Sequence, residues 1–85
     1  MSRISVITGG ASGIGRATAD VLAERGDTVV IADMNAEGAA KAAEELKASG
    51  AVAHALALDV ADDQGVEDFF DRVESEIGPV GAVVH

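Results

Sequence analysis

Apolar positions along the chain follow two alternating patterns. Short, continuous apolar or β-branched runs, typical of strands buried on both faces, recur four times. Longer segments with apolar residues at helical spacing separate these runs. The runs predict strands at residues 4–8, 28–33, 52–58 and 81–85, and the segments between them predict helices at residues 12–25, 36–48 and 62–77.

This alternation predicts an α/β protein with a Rossmann-type, doubly wound parallel sheet. The predicted element order is β-α-β-α-β-α-β, and right-handed crossovers place the strands in the order 3-2-1-4. Four strands make a partial version of this architecture. The segment after the first strand falls at the switch point between strands 1 and 4, where such sheets bind ligands.

Each predicted helix shows helical spacing of its small and apolar residues. In the first helix this spacing is seen at Ile14, Ala17, Thr18, Val21 and Leu22. The predicted core faces of the second and third helices are Ala36, Ala39, Ala40, Ala43 and Leu46, and Val66, Phe69, Phe70, Val73 and Ile77. Asn35 is the predicted N-cap of the second helix, and Gly78-Pro79 ends the third. His54, inside the third predicted strand, is interpreted as a packing or edge residue rather than a functional one.

Charge excludes two classes of partner. The 85 residues carry a formal net charge of −9. This opposes contact with nucleic acid or an anionic membrane surface, because both require clustered Lys and Arg. The acids concentrate at residues 62–76, which hold seven carboxylates and Arg72 as the single base. That run is typical of a solvated helix face, and a partner-facing acidic patch is the alternative.

Composition limits the remaining chemistry. The sequence contains no cysteine, which excludes disulfides and thiolate metal sites, and its two histidines, His54 and His85, form no metal-ligand pattern. It shows neither a signal-peptide pattern nor an apolar run approaching 18 residues, so we expect a cytoplasmic protein. Seventeen residues are alanine, so core stability must come from the larger apolar side chains.

A glycine-rich stretch between the first strand and the first helix is the main candidate for chemistry. Its glycines follow the spacing Gly9-x-x-x-Gly13-x-Gly15, which differs from the common G-x-G-x-x-G fingerprint. Gly9, Gly13 and Gly15 are predicted to shape a phosphate-binding turn, while Ser12 and Ile14 offer backbone amides to a pyrophosphate. An ordinary structural turn is the alternative, but the flanking strand and helix favour dinucleotide binding.

The second strand ends in Asp33, 18 positions after Gly15. In dinucleotide-binding units, a carboxylate about 20 residues beyond the glycines hydrogen-bonds the adenosine ribose. It also repels the 2′-phosphate of NADP, by up to ~4 kcal/mol for unit charges at 4 Å and an effective dielectric of 20. The sequence therefore predicts NAD rather than NADP. Arg16 either reaches a phosphate or lies on the surface.

The chain resembles the short-chain dehydrogenase/reductase family. The resemblance rests on Thr8-Gly9-x-x-x-Gly13-Ile14-Gly15, on Asp59-Val60 after the third strand, and on Gly78-Pro79-Val80 before the fourth. It implies that Asp59 and Val60 contact the adenine, with a strand-end or helix-start carboxylate as the alternative for Asp59. In members that use NADP, a cation often occupies the position of Ser12 or Met34, so Met34 is consistent with NAD.

The resemblance also implies an activity that these residues cannot perform alone. The family transfers hydride between a nicotinamide cofactor and an alcohol or ketone, using Tyr, Lys, Ser and Asn side chains. This sequence contains no tyrosine, and its Ser and Lys residues do not match the catalytic positions, so no catalytic residue is assigned. Gly81 stands where the family usually has aspartate, which puts local stabilisation of the fourth strand in doubt, and His85 stands where it often has asparagine.

We therefore expect residues 1–85 to be the N-terminal part of a single NAD-binding Rossmann domain, truncated at the end of strand 4. The parent enzyme would act on a secondary alcohol or ketone as a homotetramer, both implied by the family. Two alternatives remain: a free-standing nucleotide-binding module, or an inactive truncated fragment.

Overall fold

A computed structural model describes residues 3–11 and 13–84. Its four strands are β1 (Ile4–Thr8), β2 (Thr28–Asp33), β3 (Ala53–Ala57) and β4 (Ala82–Val84), and its three helices are α1 (Gly13–Glu24), α2 (Ala36–Ala48) and α3 (Asp63–Glu76). All strand pairs are parallel, and the order β3-β2-β1-β4 confirms the predicted sheet. The ends of β1, β2 and α2 are those predicted, and the other described ends differ from the predicted ones by one residue. The predicted ends at Ser12 and His85 lie outside the described residues.

The sheet is covered on both faces. Val29 and Ile31 of β2 pack with α1 and α2 on one face. Val30 and Ala32 pack with α3 on the other. Because successive side chains of a strand point to opposite faces, this explains why the β2 run is continuously apolar.

The helix predicted from the spacing in α1 is confirmed, but most residues of that spacing do not face the sheet. Ala19 and Leu22 are the buried residues of α1, whereas Ile14 is 87% exposed and Val21 is 48% exposed. Gly15 packs against the backbone of the glycine turn. The side of α1 that carries Ala19 and Leu22 faces the sheet.

The predicted core face of α2 needs a smaller correction. Ala42 is buried, whereas Ala36 and Ala40 are exposed. Alanine occurs on both sides of this helix, so the hydrophobic pattern does not define its orientation sharply. The Asn35 side chain accepts a hydrogen bond from the Gly38 amide at 3.0 Å, which confirms the predicted N-cap.

The apolar face of α3 is confirmed. Phe69 and Val73 are buried, and Val66, Phe70 and Ile77 are half-buried beside them. The rings of Phe69 and Phe70 meet edge to face, with centroids 5.2 Å apart. His54 is half-buried on β3, an edge strand of the sheet, as the sequence predicted.

A charged cluster joins β1 to the start of β2, at the end of the sheet opposite the glycine turn. The buried Asp27 carboxylate accepts hydrogen bonds from the Ser5 hydroxyl at 2.8 Å and from two nitrogens of the Arg3 guanidinium at 3.1 and 3.2 Å. The Ser5 hydrogen bond, followed by the contacts of Arg3, lowers the pKa of Asp27 below its ordinary value although burial opposes this.

The same cluster explains how β4 begins without an aspartate at position 81. The stem of Arg3 lies over Gly81, where a Cβ would be only 2.5 Å from the Arg3 Cγ. The Gly81 amide donates to the Ile4 carbonyl at 2.8 Å. Backbone pairing and the Arg3 side chain therefore hold the start of β4 against β1.

Candidate functional site

The glycine turn connects the carboxyl end of β1 to α1. Gly9 has φ +67° and Gly13 has φ +62°, backbone conformations that side chains with a Cβ rarely adopt. The Gly9 amide donates to the Ala32 carbonyl at 2.7 Å, which ties the turn to β2. Ser12, predicted to offer a backbone amide, lies outside the described residues.

The amino end of α1 lies at this turn. The first N–H groups of any α-helix have no partner within the helix, and the helix dipole is positive there. The first turn of α1 begins at Gly13 and contains no acidic residue to neutralise this end. Ile14 lies in that first turn, and its side chain is exposed. The arrangement suits a bound phosphate.

Asp33 connects the glycine turn to the start of α2. Its Oδ1 accepts from the Asn35 amide at 3.0 Å, and its Oδ2 accepts from the Ala11 amide at 3.3 Å. The carboxylate is half-buried. It lies at the carboxyl end of β2, next to the switch point of the sheet, as the sequence predicted.

Two adjacent cavities lie beside this carboxylate. One of about 210 Å³ is lined by Gly9, Ala32, Asp33, Met34, Leu58 and Val60. The next, of about 320 Å³, is lined by Met34, Ala57, Leu58, Asp59, Asp62 and Gly65. Together they bring five of the predicted site residues to one place, namely Gly9, Asp33, Met34, Asp59 and Val60. Met34 is 72% exposed and Val60 is 50% exposed, which leaves apolar surface for a flat ring.

Asp59 has a local structural role. Its Oδ1 accepts from the Ala61 amide at 2.9 Å, and its carbonyl accepts from the Asp62 amide at 3.1 Å. These bonds close the turn between β3 and α3. The carboxylate is nevertheless exposed at the cavity wall.

Arg16 has ion-pair partners on the surface. Its guanidinium contacts Asp20, one turn further along α1, and Glu45 of α2 at 3.2 Å. The side chain therefore links the two helices, which favours the surface interpretation over a phosphate contact.

A third cavity, of about 400 Å³, lies at the outer edge of β3 and includes Lys47, His54 and Arg72 in its lining. Lys47 already pairs with Glu44 at 3.3 Å, and Arg72 pairs with Glu76 at 2.7 Å. This cavity lies away from the glycine turn. The two cavities beside Asp33 are the better candidate for function.

Sequence reasoning missed two contributors to the site. Leu58 lines both cavities, and Ala11 donates to Asp33. The Asp33-x-Asn35 spacing does carry a signal for one of the Asp33 bonds, because an Asp side chain commonly accepts from the amide two residues later. The Ala11 contact spans 22 residues and has no such local signal.

Two further kinds of site were sought among the described residues. No helix within residues 3–11 and 13–84 is long and apolar enough to cross a membrane. The same residues contain no group of three or more His, Cys, Asp or Glu side chains that could hold a metal ion.

Known proteins resemble this chain along nearly all of its length. The family model described as short chain dehydrogenase matches residues 3–85. The chain is 46% identical over 82 residues to cis-4-hydroxycyclohexanecarboxylate dehydrogenase of Sinomonas cyclohexanicum, covering 96% of this chain and 32% of that protein. It is 39% identical to 2,3-dihydro-2,3-dihydroxybenzoate dehydrogenase of Bacillus subtilis, covering 98% and 32%.

Solved structures agree with the sequence comparison. The crystal structure of gox2181 superposes with a TM-score of 0.93 at 34% identity, over 96% of this chain and 32% of that one. The apo form of LigD from Sphingobium sp. strain SYK-6 superposes with a TM-score of 0.88 at 38% identity, over 92% and 33%. The chain thus spans about a third of the length of the relatives it matches.

Proposed function

The chain belongs to the short-chain dehydrogenase family, and on that premise we propose that it is the N-terminal, NAD-binding portion of an oxidoreductase. The parent enzyme would transfer hydride between NAD(H) and a secondary alcohol or ketone. The observation that carries the proposal is the Asp33 carboxylate, which lies beside the glycine turn at the wall of a cavity.

The pyrophosphate, the adenosine ribose and the adenine of the dinucleotide each have a matching group in the chain. The amides of Gly13 and Ile14 at the start of α1, with the turn from Gly9, would hold the pyrophosphate. Ser12 and Gly15 belong to the same proposed set. Asp33 would accept hydrogen bonds from the adenosine ribose.

The adenine would lie in the neighbouring cavity. Met34 and Leu58 supply its apolar walls. Asp59 has a second carboxylate oxygen beyond the one bonded to Ala61 and would accept from the adenine amino group, while the Val60 amide would donate to a ring nitrogen. The residues present therefore fit the cofactor, whose nicotinamide supplies or accepts the hydride when it is bound.

NAD is preferred to NADP in this proposal. A 2′-phosphate would approach the Asp33 carboxylate, and like charges at 4 Å repel by up to ~4 kcal/mol at an effective dielectric of 20. The neighbouring position holds Met34 rather than a cation, and the Arg16 guanidinium is occupied by Asp20 and Glu45. Even a third of the repulsion corresponds to about a tenfold difference in affinity.

The catalytic groups would come from elsewhere in the parent enzyme. The 85 residues contain no tyrosine to act as the family's acid and base. Two relatives are named as dehydrogenases of hydroxylated ring acids, which supports chemistry at a CH–OH group. We also propose a homotetrameric parent enzyme, on the basis of family membership. We propose a cytoplasmic location, with which a cysteine-free sequence is compatible.

Calorimetric titration of the chain with NAD and with NADP tests this function. We expect NAD to bind at least about tenfold more tightly. At a hundredfold excess over Kd, NAD should raise the free energy of unfolding by ~2.7 kcal/mol. Arg72→Gln, at the separate cavity on the edge of β3, is the control and should bind NAD as tightly as the unmodified chain. A failure to bind either cofactor would contradict the proposal, and tighter binding of NADP would contradict the assignment of NAD.

A further inference from the structure

The end of β2 contacts three consecutive residues of the glycine turn, one after another. The Gly9 amide donates to the Ala32 carbonyl at 2.7 Å. Gly10 packs on the Ile31 side chain, where a Cβ would be 3.1 Å from two of its carbons. The Ala11 amide donates to Asp33 Oδ2 at 3.3 Å. The turn is thus attached to β2 at Gly9, Gly10 and Ala11, and Asp33 makes the attachment at Ala11.

We propose that Asp33 is a positioning residue for the phosphate-binding turn, in addition to its proposed contact with the ribose. This inference rests on the proposed function, since it assigns a second role within the same site. Asp33 would hold the turn in its binding conformation before any ligand arrives. The residue that selects the cofactor would therefore also determine how well the phosphates bind.

The attachment at Ala11 matters because glycine-rich backbone is costly to order. Fixing a residue's backbone costs conformational entropy, and this cost is largest for glycine. A hydrogen bond to a carboxylate is stronger than one to a neutral acceptor. The Ala11–Asp33 bond therefore lowers the entropy that phosphate binding still has to remove.

The carboxylate suits this role better than an amide would. Two backbone N–H groups, from Ala11 and Asn35, point at its two oxygens. An asparagine side chain has a single acceptor oxygen and presents its NH₂ group to the second donor. Asp33→Asn should therefore lose one of the two bonds, whereas Asp33→Ala loses both.

Amide hydrogen exchange in the ligand-free chain tests the hydrogen bond directly. We expect the Ala11 amide to exchange about tenfold faster in Asp33→Ala, because it loses its acceptor. Asn35→Ala is the matched control: it removes the cap of α2 but retains the Asn35 backbone amide and the Asp33 carboxylate, so Ala11 exchange should not change. Unchanged Ala11 exchange in Asp33→Ala would overturn the inference.

Titration with inorganic pyrophosphate tests the functional consequence, because this ligand contains no ribose. Electrostatics alone predicts tighter binding to Asp33→Ala, since a negative charge is removed near the turn. A positioning role predicts the reverse, a loss of about fivefold. Pyrophosphate binding that is equal or tighter in Asp33→Ala would overturn the inference.

The two proposals fail in different ways. If the unmodified chain binds neither NAD nor pyrophosphate, the proposed function fails, and Ala11 exchange still decides whether Asp33 holds the turn. Asp33→Asn is the second variant if Asp33→Ala melts at a lower temperature than the measurement allows. In Asp33→Asn, either the Ala11 amide or the Asn35 amide should exchange faster than in the unmodified chain. Unchanged exchange of both amides would again overturn the inference.

Discussion

Gly15, in the first turn of α1, packs directly against the backbone of Gly9 in the glycine turn. A Cβ at Gly15 would lie 2.9 Å from the Gly9 carbonyl carbon, 3.1 Å from the Gly10 Cα, and closer still to the Gly9 oxygen. These neighbours are backbone atoms that cannot rotate away. The third glycine of the stretch is therefore required for close packing, whereas Gly9 and Gly13 are required for their positive φ.

Gly15→Ala should weaken NAD binding by at least about tenfold, because the methyl group forces the turn away from α1 at a cost of about 1–3 kcal/mol. Helix propensity alone would raise the free energy of unfolding by up to ~1 kcal/mol, because alanine favours a helix more than glycine does. Calorimetric titration with NAD and a thermal melt measure both effects.

Gly65→Ala in α3 is the control for this substitution. A Cβ at Gly65 would lie 2.9 Å from the Asp62 carboxylate, which belongs to a side chain that can move. The Gly65→Ala variant should melt at the same temperature as the unmodified chain or higher. Gly15→Ala with unchanged NAD affinity would refute the packing argument.

Asp33→Ala should narrow the preference for NAD over NADP to about threefold or less. Both affinities fall as the turn loses an attachment, but NADP also loses the repulsion between its 2′-phosphate and the carboxylate. Parallel titrations give the ratio. If the NAD and NADP affinities fall by the same factor, Asp33 does not hydrogen-bond the adenosine ribose.

Arg16→Gln should have little effect on cofactor binding. Its ion pairs with Asp20 and Glu45 are partly exposed, so the loss in unfolding free energy should stay below about 1 kcal/mol. NAD affinity should change by less than about threefold. A tenfold loss of affinity would mean that Arg16 turns toward a phosphate when the cofactor binds.

The Asp27 cluster should make stability depend on acid pH. The folded pKa of Asp27 lies below its ordinary value of 3.8, so its stabilising contribution is complete above that value and is lost as the pH falls through the folded pKa. Urea unfolding between pH 7 and pH 3 should show Asp27→Asn less stable than the unmodified chain at pH 7, with the difference shrinking in acid. Asp71→Asn, an exposed acid on α3, is the control. A difference that is constant with pH would contradict this role of the carboxylate.

Phe69→Ala should destabilise the chain far more than Phe70→Ala. Phe69 is buried under the sheet, whereas its neighbour is half-buried. Removing a buried Phe costs about 3–5 kcal/mol, which is a large part of the stability of a small domain. Urea unfolding at neutral pH compares the two variants, and equal losses would contradict the described orientation of α3.

The sequence by itself determined the order of the elements and the order of the strands, and it predicted where the candidate site lies. The residues that begin and end each strand, helix and glycine turn are close together in sequence, so the elements can be predicted locally. The right-handedness of the crossovers then allows few strand orders. The positions of Gly9 and Asp33 at adjacent strand ends follow from that topology. The face of α3 could also be predicted, because Phe69 and Val73 differ sharply from the acids around them.

Tertiary structure decided which sides of α1 and α2 face the sheet and which polar groups meet. In the first turn of α1, Gly15 packs against the backbone of Gly9 while the Ile14 side chain faces solvent. The bonds from Ala11 to Asp33 and from Ser5 to Asp27 each join residues 22 positions apart. Contacts of this kind depend on how separate elements pack in three dimensions, and the local pattern of apolar and polar residues contains no record of that packing.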